Sequence, residues 1–401
     1  MFRFSTRLPA DLSANPLSEL LERKRADNND VIDLTESNPT RVGMEYPETE
    51  ILASLAQRES MIYEPHPRGL RGAREAVAAY FTGRGHAMDA ESVILTAGSS
   101  ESYGYLLKLL ADKGDEVLAP RPSYPLVEYL AGLETVHTVP YALRYQRRDG
   151  WRLDMKSITE NCTVRSKAVI IINPNNPTGH YMRREELDML ARFCADRGLA
   201  LISDEVFLDY PLRESDFGSG IPTGTASALD IESDALVFVL GGFSKMLALP
   251  QFKLGWITSS GPPALLHDAL QRLDLISDTY LTVNTPVQHA AAELLRLAPR
   301  IQTQIRHRCS ANLASLRRVM TDMPDAELLP VEAGWNAVLR LRDDIDEETL
   351  VMTLLNEHDV LTHPGFFFDF DEGSHLVLSL LPLPDRMEEG VNRLRERLSA
   401  D

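Results

Sequence analysis

The sequence predicts an α/β protein: a mostly parallel central sheet flanked by helices on both faces, with a smaller α+β domain attached. Three observations predict it. Short β-rich runs alternate with longer helical patterns through the middle of the chain, as repeated strand–helix units do. The runs Ala168–Ile172 and Leu236–Leu240 are apolar at every position, which marks strands covered on both faces. The last quarter changes character, becoming helical from about Thr285 to Met320 and mixed from Leu328 onward. At about 150 residues per domain, 401 residues accommodate such a division. Residues 1–45 read as an N-terminal arm packing with the small domain, 46–290 as the large domain and 291–401 as the small C-terminal domain.

The elements follow in order. Val93–Thr96 reads as a strand and Ser100–Ala111 as a helix. Glu116–Ala119 is a strand, Tyr124–Leu133 a helix and Thr135–Pro140 a strand. Ala168–Ile172 is a buried strand bounded by Asn173-Pro174. Arg183–Arg197 is an amphipathic helix with Leu187, Leu190, Ala191 and Cys194 on one face, stopped by Gly198. Leu199–Ser203 and Leu236–Leu240 are further buried strands. Ala337–Leu341 and Leu376–Leu380 are strands of the C-terminal region.

Composition limits the function classes. Hydrophobic residues at 44% and charged residues at 25% are globular values, which excludes a disordered chain, a collagen or a coiled-coil rod. A net charge of −18 opposes nonspecific binding to nucleic acid or to an anionic membrane. Cys162, Cys194 and Cys309 are too scattered for a disulfide framework or a zinc site and fit a reducing compartment. Met1–Leu12 has Arg3 and Arg7 but no apolar segment of a signal peptide, and no apolar run is long enough to span a bilayer. The expectation is a cytoplasmic protein with no metal, nucleic-acid or membrane partner.

Four polar clusters fall where strands are predicted to end, which is where open parallel sheets bind ligands. Thr96–Glu101 opens a helix with small residues, so backbone N–H groups are free to face an anion; an ordinary serine N-cap is the plainer reading. Asn173–Gly179 holds three asparagines, two prolines, a threonine and a glycine, a rigid loop that is either a plain turn or a device aiming an amide. Asp204 ends one apolar strand, where a carboxylate needs a partner or caps a turn. Lys245 follows another in Gly241-Gly242-Phe243-Ser244-Lys245. Burial there lowers an amine's pKa and makes it a nucleophile for carbonyls, unless its head reaches solvent. No Gly-x-Gly-x-x-Gly follows the first strand. There is no phosphate loop with Gly-Lys-Ser/Thr and no His-Glu-x-x-His. Arg306-His307-Arg308 and Arg317-Arg318 read as the solvated face of a long helix.

Taken in order, the Gly-Ser-Ser helix start, Tyr124, Asn173–Gly179, Asp204-Glu205-Val206 and Ser244-Lys245 resemble the class I/II aminotransferases, from about Leu34 to Leu398. The resemblance implies the fold of type I enzymes dependent on pyridoxal 5′-phosphate (PLP), with that cofactor held in the large domain. It implies that Lys245 forms the internal aldimine and shuttles a proton, that Asp204 lies under the pyridine nitrogen, and that Tyr124 stacks on the ring. Asn176 would bond the phenolic oxygen. Ser99, Ser100, Ser244 and Lys253 would hold the phosphate, with Tyr63 reaching the phosphate of the neighbouring subunit in a homodimer with shared sites. Ser37, Asn38, Arg41 and Asn176 would meet substrate. The implied reaction moves an amino group from an amino acid to a 2-oxo acid by a ping-pong mechanism. A C–S β-lyase or a cyclising enzyme is the alternative on the same fold.

This chain departs from the family pattern at four positions. Phe207 stands for the usual tyrosine, Lys253 for a common arginine and Gly242 for a common serine. Val377 stands where the family carries the arginine that clamps the substrate carboxylate. Arg41 or Asn38, in the loop Glu36–Arg41, is the substitute the sequence offers. A PLP-binding regulator is disfavoured, since no spare segment for binding DNA lies outside the match and the charge is wrong for DNA.

Overall fold

The structure is a computed structural model and describes residues 4–9, 11–86, 88–213, 222, 224–321 and 323–399. After a short β1 (Ile32–Asp33) come β2 (Val93–Thr96), β3 (Glu116–Arg121), β4 (His137–Gln146), β5 (Gly150–Leu153), β6 (Ser166–Ile172), β7 (Ala200–Asp204), β8 (Val237–Gly242) and β9 (Gly255–Ser260). The last eight form one sheet in the order β2-β9-β8-β7-β6-β3-β4-β5. β4, β3, β6, β7 and β8 pair in parallel; β9 runs against both β8 and β2, so β2 points the same way as the parallel set.

Both faces of this sheet are covered, and the strand sequences divide between them with period two. Ala168, Ile170, Ile202, Phe238 and Leu240 pack in one buried cluster with Leu106, Leu107 and Leu273, which come from the helices Ser99–Leu110 and Pro263–Tyr280. Val169, Ile171, Leu201, Val237 and Val239 pack on the other side with Leu187, Leu190 and Cys194 of helix Arg184–Arg197. That helix ends at Gly198 in the left-handed conformation, φ 66°. Each fully buried aliphatic side chain contributes up to about 1.5–3 kcal/mol, so the central strands anchor the sheet whose ends carry the site.

The C-terminal region holds β10 (Ala326–Leu328), β11 (Asn336–Leu341), β12 (Val360–Leu361), β13 (His363–Pro364) and β14 (His375–Ser379). β10-β11-β14-β13 form an antiparallel sheet, and β1 pairs in parallel with β12. The N-terminal segment is tied in twice more. Lys24 Nζ donates to Asn356 O at 2.6 Å, and Ser379 N donates to Leu34 O at 2.7 Å. Among the described residues no helix is long and apolar enough to cross a membrane.

The structure corrects several element readings. The helix placed from Tyr124 starts at Leu126, with Pro125 at its N-cap, leaving Tyr124 in the preceding loop. Thr135 is left-handed (φ 63°) and precedes β4, which continues through Pro140 to Gln146. Asn161 Nδ2 donates to Pro140 O at 2.8 Å, so this edge of Pro140 faces away from β3, where a missing N–H costs no ladder bond. The basic cluster is more than a solvated face. Arg308 Nη1 donates to Val42 O and Leu381 O, both at 3.0 Å, and Arg306 Nη1 donates to Asp209 O at 3.2 Å.

One glycine sets how closely the two regions meet. Gly179 sits at φ 70°, its O accepts from Ala333 N at 3.1 Å, and a Cβ there would lie 2.5 Å from Ala333 O. Gly179→Ala combines a strained backbone with a backbone clash. It is expected to destabilise the protein by about 1–3 kcal/mol, read as a lower urea midpoint at unchanged m value.

Candidate active site

The loops after β2, β6, β7 and β8 leave the same edge of the large sheet and converge on a cavity of about 200 Å³. Its walls include Ser99, Tyr124, Asn176, Asp204, Gly242, Ser244 and Lys245, with Phe207, Trp335, Asn336, His363 and Phe368. A wider, open depression of about 970 Å³ lies elsewhere, around Arg340 and Arg342. Arg340 and Arg342 are ion-paired there to Glu327 and Asp325, whereas the smaller cavity gathers a buried amine and a buried carboxylate.

Lys245 follows β8 in the short helix Phe243–Met246. Its backbone is fixed, since Tyr210 Oη donates to Lys245 O at 2.7 Å and to Met246 O at 3.1 Å. The side chain enters an aromatic corner, with Nζ 5.2 Å from the Trp335 ring centroid and 5.6 Å from that of Phe207. Burial holds the amine's pKa below its ordinary value, opposed by the negative charge of Asp204.

Asp204 is the last residue of β7. Period two sends it and Glu205 in different directions. Glu205 is fully engaged, accepting from Ser203 Oγ (2.8 Å), Ser227 Oγ (2.5 Å) and Ala228 N (2.8 Å). Among the described residues the Asp204 carboxylate accepts only from Tyr103 Oη at 3.1 Å and Val206 N at 3.3 Å, which leaves acceptor capacity toward the cavity. Burial pushes its carboxyl up to about 6.

The loop of three asparagines divides its labour. Asn173 is consumed structurally, its Oδ1 accepting from Met182 N at 3.0 Å and its Nδ2 donating to Ala226 O at 2.8 Å. Asn175 Oδ1 accepts from Thr178 Oγ1 at 2.8 Å. Asn176 alone reaches the cavity, and Asn336 Nδ2 donates to its Oδ1 at 2.7 Å. That bond fixes the amide's orientation and leaves the Asn176 NH₂ free to donate. Tyr124 is held beside it, its N donating to Asn176 O at 3.1 Å and its ring 6.3 Å from Phe368.

At the opposite end, Ser99 begins the helix Ser99–Leu110 behind Gly98, and Lys253 projects toward Gly98 from a left-handed position (φ 52°). Ser100 is on the same first turn but exposed and outside the cavity wall.

The remaining residues named from the sequence lie elsewhere. Ser37 reaches the wall, because Ser379 Oγ donates to Glu36 O at 2.7 Å and draws this segment over the cavity. Asn38 and Arg41 do not line it. Asn38 Oδ1 caps the turn Pro39–Arg41, accepting from Thr40 N at 3.0 Å and Thr40 Oγ1 at 2.7 Å, and Arg41 is exposed. Tyr63 is 75% exposed and outside the cavity wall. Val377 is buried in β14 among Val338 and Phe368.

Sequence reasoning gave no role to Tyr103, Asn336 or His363. Tyr103 was within reach: it lies one helical turn after Ser99 on a helix already aimed at the site. Asn336 and His363 belong to no motif; only strand pairing brings them here.

A PLP-sized ligand fits this donor set. The cavity combines a buried amine, a buried carboxylate with unused acceptors, a free amide donor, an aromatic wall, and a helix N-terminus flanked by hydroxyls and a lysine. The buried indole N–H of Trp335 has no partner among the described residues.

Comparison with known proteins agrees. The family model for aminotransferase class I and II matches residues 29–394. The alanine aminotransferase of Mycobacterium tuberculosis is 26% identical over 392 residues, covering 94% of this chain and 88% of that protein. The glutamate-pyruvate aminotransferase AlaA of Escherichia coli is 24% identical over 395 residues, with 96% and 94% covered. The alanine aminotransferase structure from Pyrococcus furiosus superposes with a TM-score of 0.87 at 22% identity, covering all of both chains. With the family match spanning nearly the whole chain and the chemistry gathered at one sheet edge, this protein belongs to the class I and II aminotransferases.

Proposed function

We propose that this chain binds PLP in the cavity and moves an amino group from an amino acid to a 2-oxo acid in two half-reactions, the first product leaving before the acceptor enters. The observation that supports it best is one buried cavity holding both Lys245 and Asp204, the amine's pKa held down and the carboxyl's held up by the same burial. When bound, the cofactor supplies an electron sink for bond breaking at the substrate's Cα.

The chain's own residues do the rest. Lys245, desolvated and therefore more readily neutral, serves as the nucleophile that holds the cofactor's carbonyl carbon. As a free amine beside the bound donor, it would carry the Cα proton. Asp204 is the anion that holds a proton on the ring nitrogen. Asn176, oriented by Asn336, donates to the phenolic oxygen. Phe207 has no hydroxyl to share that task. Tyr124 covers the ring. Ser99, Ser244 and Lys253 serve the phosphate, Lys253 as a point charge rather than a bidentate fork, and Ser100, its side chain exposed, contributes only through its place on the first turn of the same helix. Ser37 and Asn176, which both line the cavity, are assigned to substrate contact.

Tyr63 is assigned to the phosphate end of a second copy's cavity, in a homodimer with shared sites. Met61, Ile62 and Tyr63 form an exposed apolar stretch that a partner surface would cover. Three free cysteines, two of them buried, fit the cytoplasm.

The test is a donor screen. PLP-loaded protein is mixed with single amino acids, without acceptor, while cofactor absorbance and free ammonia are followed. Conversion to the pyridoxamine form without ammonia is the expected result. Ammonia release with the starting spectrum regained would replace transfer by elimination.

A further inference from the structure

We propose that His363 receives the substrate's α-carboxylate, in place of an arginine on β14. The inference rests on the proposed transamination and names the residue that reads its substrates.

The argument is one of register. β11, β14 and β13 are adjacent in that order, and Val338, Val377 and His363 stand opposite one another across them. Residues opposite in a sheet share a face. Val377 is 1% exposed and packed among Val338, Leu329 and Phe368, so the central strand offers the cavity no polar group at this row. The neighbouring strands do. His363 lines the cavity from β13, and Asn336 lines it from β11 two residues from Val338. Asn336 is committed to Asn176, which leaves the imidazole as the side chain of this wall able to become a cation.

The ring is built in. Its centroid lies 5.8 Å from both Phe367 and Phe368, and its buried Nδ1 has no partner among the described residues. Burial holds its pKa below the ordinary value, which favours the neutral ring. Asp33 on β1 supplies the opposing negative charge. The other titratable groups facing the cavity are Asp204, Lys245, Tyr103 and Tyr124; the turn Gly365–Phe368 and Val377 contribute none. An arriving carboxylate raises the imidazole's pKa, and the ring takes up a proton to form a charge-assisted hydrogen bond. A switchable cation of this kind differs from a guanidinium in one measurable way: its binding consumes a proton.

The experiment uses the PLP-loaded protein and two probes, 2-methylalanine, which has no Cα proton to lose, and isopropylamine, the same molecule without its carboxylate. Dissociation constants are read from the cofactor's absorbance shift, and proton uptake from calorimetry in buffers of different ionisation enthalpy. His363→Ala and His363→Leu are expected to weaken 2-methylalanine by about 10–100-fold and isopropylamine by less than about 3-fold. His363→Gln is expected to restore part of the affinity. In the native protein at pH 8, 2-methylalanine should take up more protons than isopropylamine, a difference lost in His363→Gln. Unchanged 2-methylalanine affinity in the variants, or equal weakening of both probes, would overturn the assignment while leaving the transamination reading intact. If the native protein converts its cofactor with no α-amino acid, the functional reading itself fails and this assignment with it.

Discussion

Lys245→Ala is expected to lower turnover by more than about 10⁴-fold while leaving the fold intact. Two roles are lost together, the nucleophile and the proton carrier, and each accounts for several orders of magnitude. The fold survives because, among the described residues, the Lys245 side chain makes ring contacts but no hydrogen bond that another residue depends on. The bonds that position this segment run to backbone atoms, from Tyr210 Oη to Lys245 O and Met246 O and from Gln302 Nε2 to Met246 O at 3.1 Å. Truncation also removes a partly desolvated amine from an aromatic corner, so thermal stability should hold or rise slightly. PLP should still bind noncovalently. Two measurements check this: turnover, and the mass of the borohydride-treated protein, which should gain the reduced cofactor in the native chain only. Turnover within about 10-fold of native would overturn the assignment of Lys245.

Asp204→Asn is expected to move stability and activity in opposite directions. In the cofactor-free protein the Asp204 carboxyl sits at about 6 against an ordinary 3.8. A carboxyl held above its unfolded value means that the native state keeps the proton longer. The native protein is therefore penalised as pH rises from about 4 to about 6, and the penalty is complete above that. Two pKa units correspond to about 3 kcal/mol at most, since the residue keeps 8% exposure toward the cavity. The amide of the variant carries no such charge. The cofactor-free variant should therefore lack this decline and be more stable at pH 7, by up to about 3 kcal/mol in urea unfolding. Activity should fall by about 10²–10³-fold, the loss typical of removing one preorganised electrostatic partner. The added stability from bound PLP should also be smaller in the variant. Equal pH profiles for the two cofactor-free proteins would refute the electrostatic account.

These opposed effects explain which parts of the site could be read from the sequence. Asp204, Lys245 and Asn176 lie at or just beyond the ends of apolar strands, and a polar residue at the end of a buried run is conspicuous on any reading. Of the three loop asparagines, composition alone could not choose the one that faces the cavity. The choice was made by Met182 N, Ala226 O and Thr178 Oγ1, which engage Asn173 and Asn175. Arg41 illustrates the opposite case. It stands in a suggestive loop, but the Asn38-capped turn leaves its side chain exposed and away from the cavity wall.

The sequence by itself determined the covered parallel sheet, because period and apolarity are local properties of each strand, and it determined the order of the chemical groups along the chain. It also showed that position 377 holds valine. What fills the place of that side chain was decided only by tertiary structure. His363 lies fourteen residues away in sequence, in a strand of two residues, and no periodicity marks it. Cross-strand pairing set it beside Val377, as the Asn336–Asn176 bond joined residues 160 positions apart. Such contacts follow from register between segments, a nonlocal quantity that local patterns do not encode.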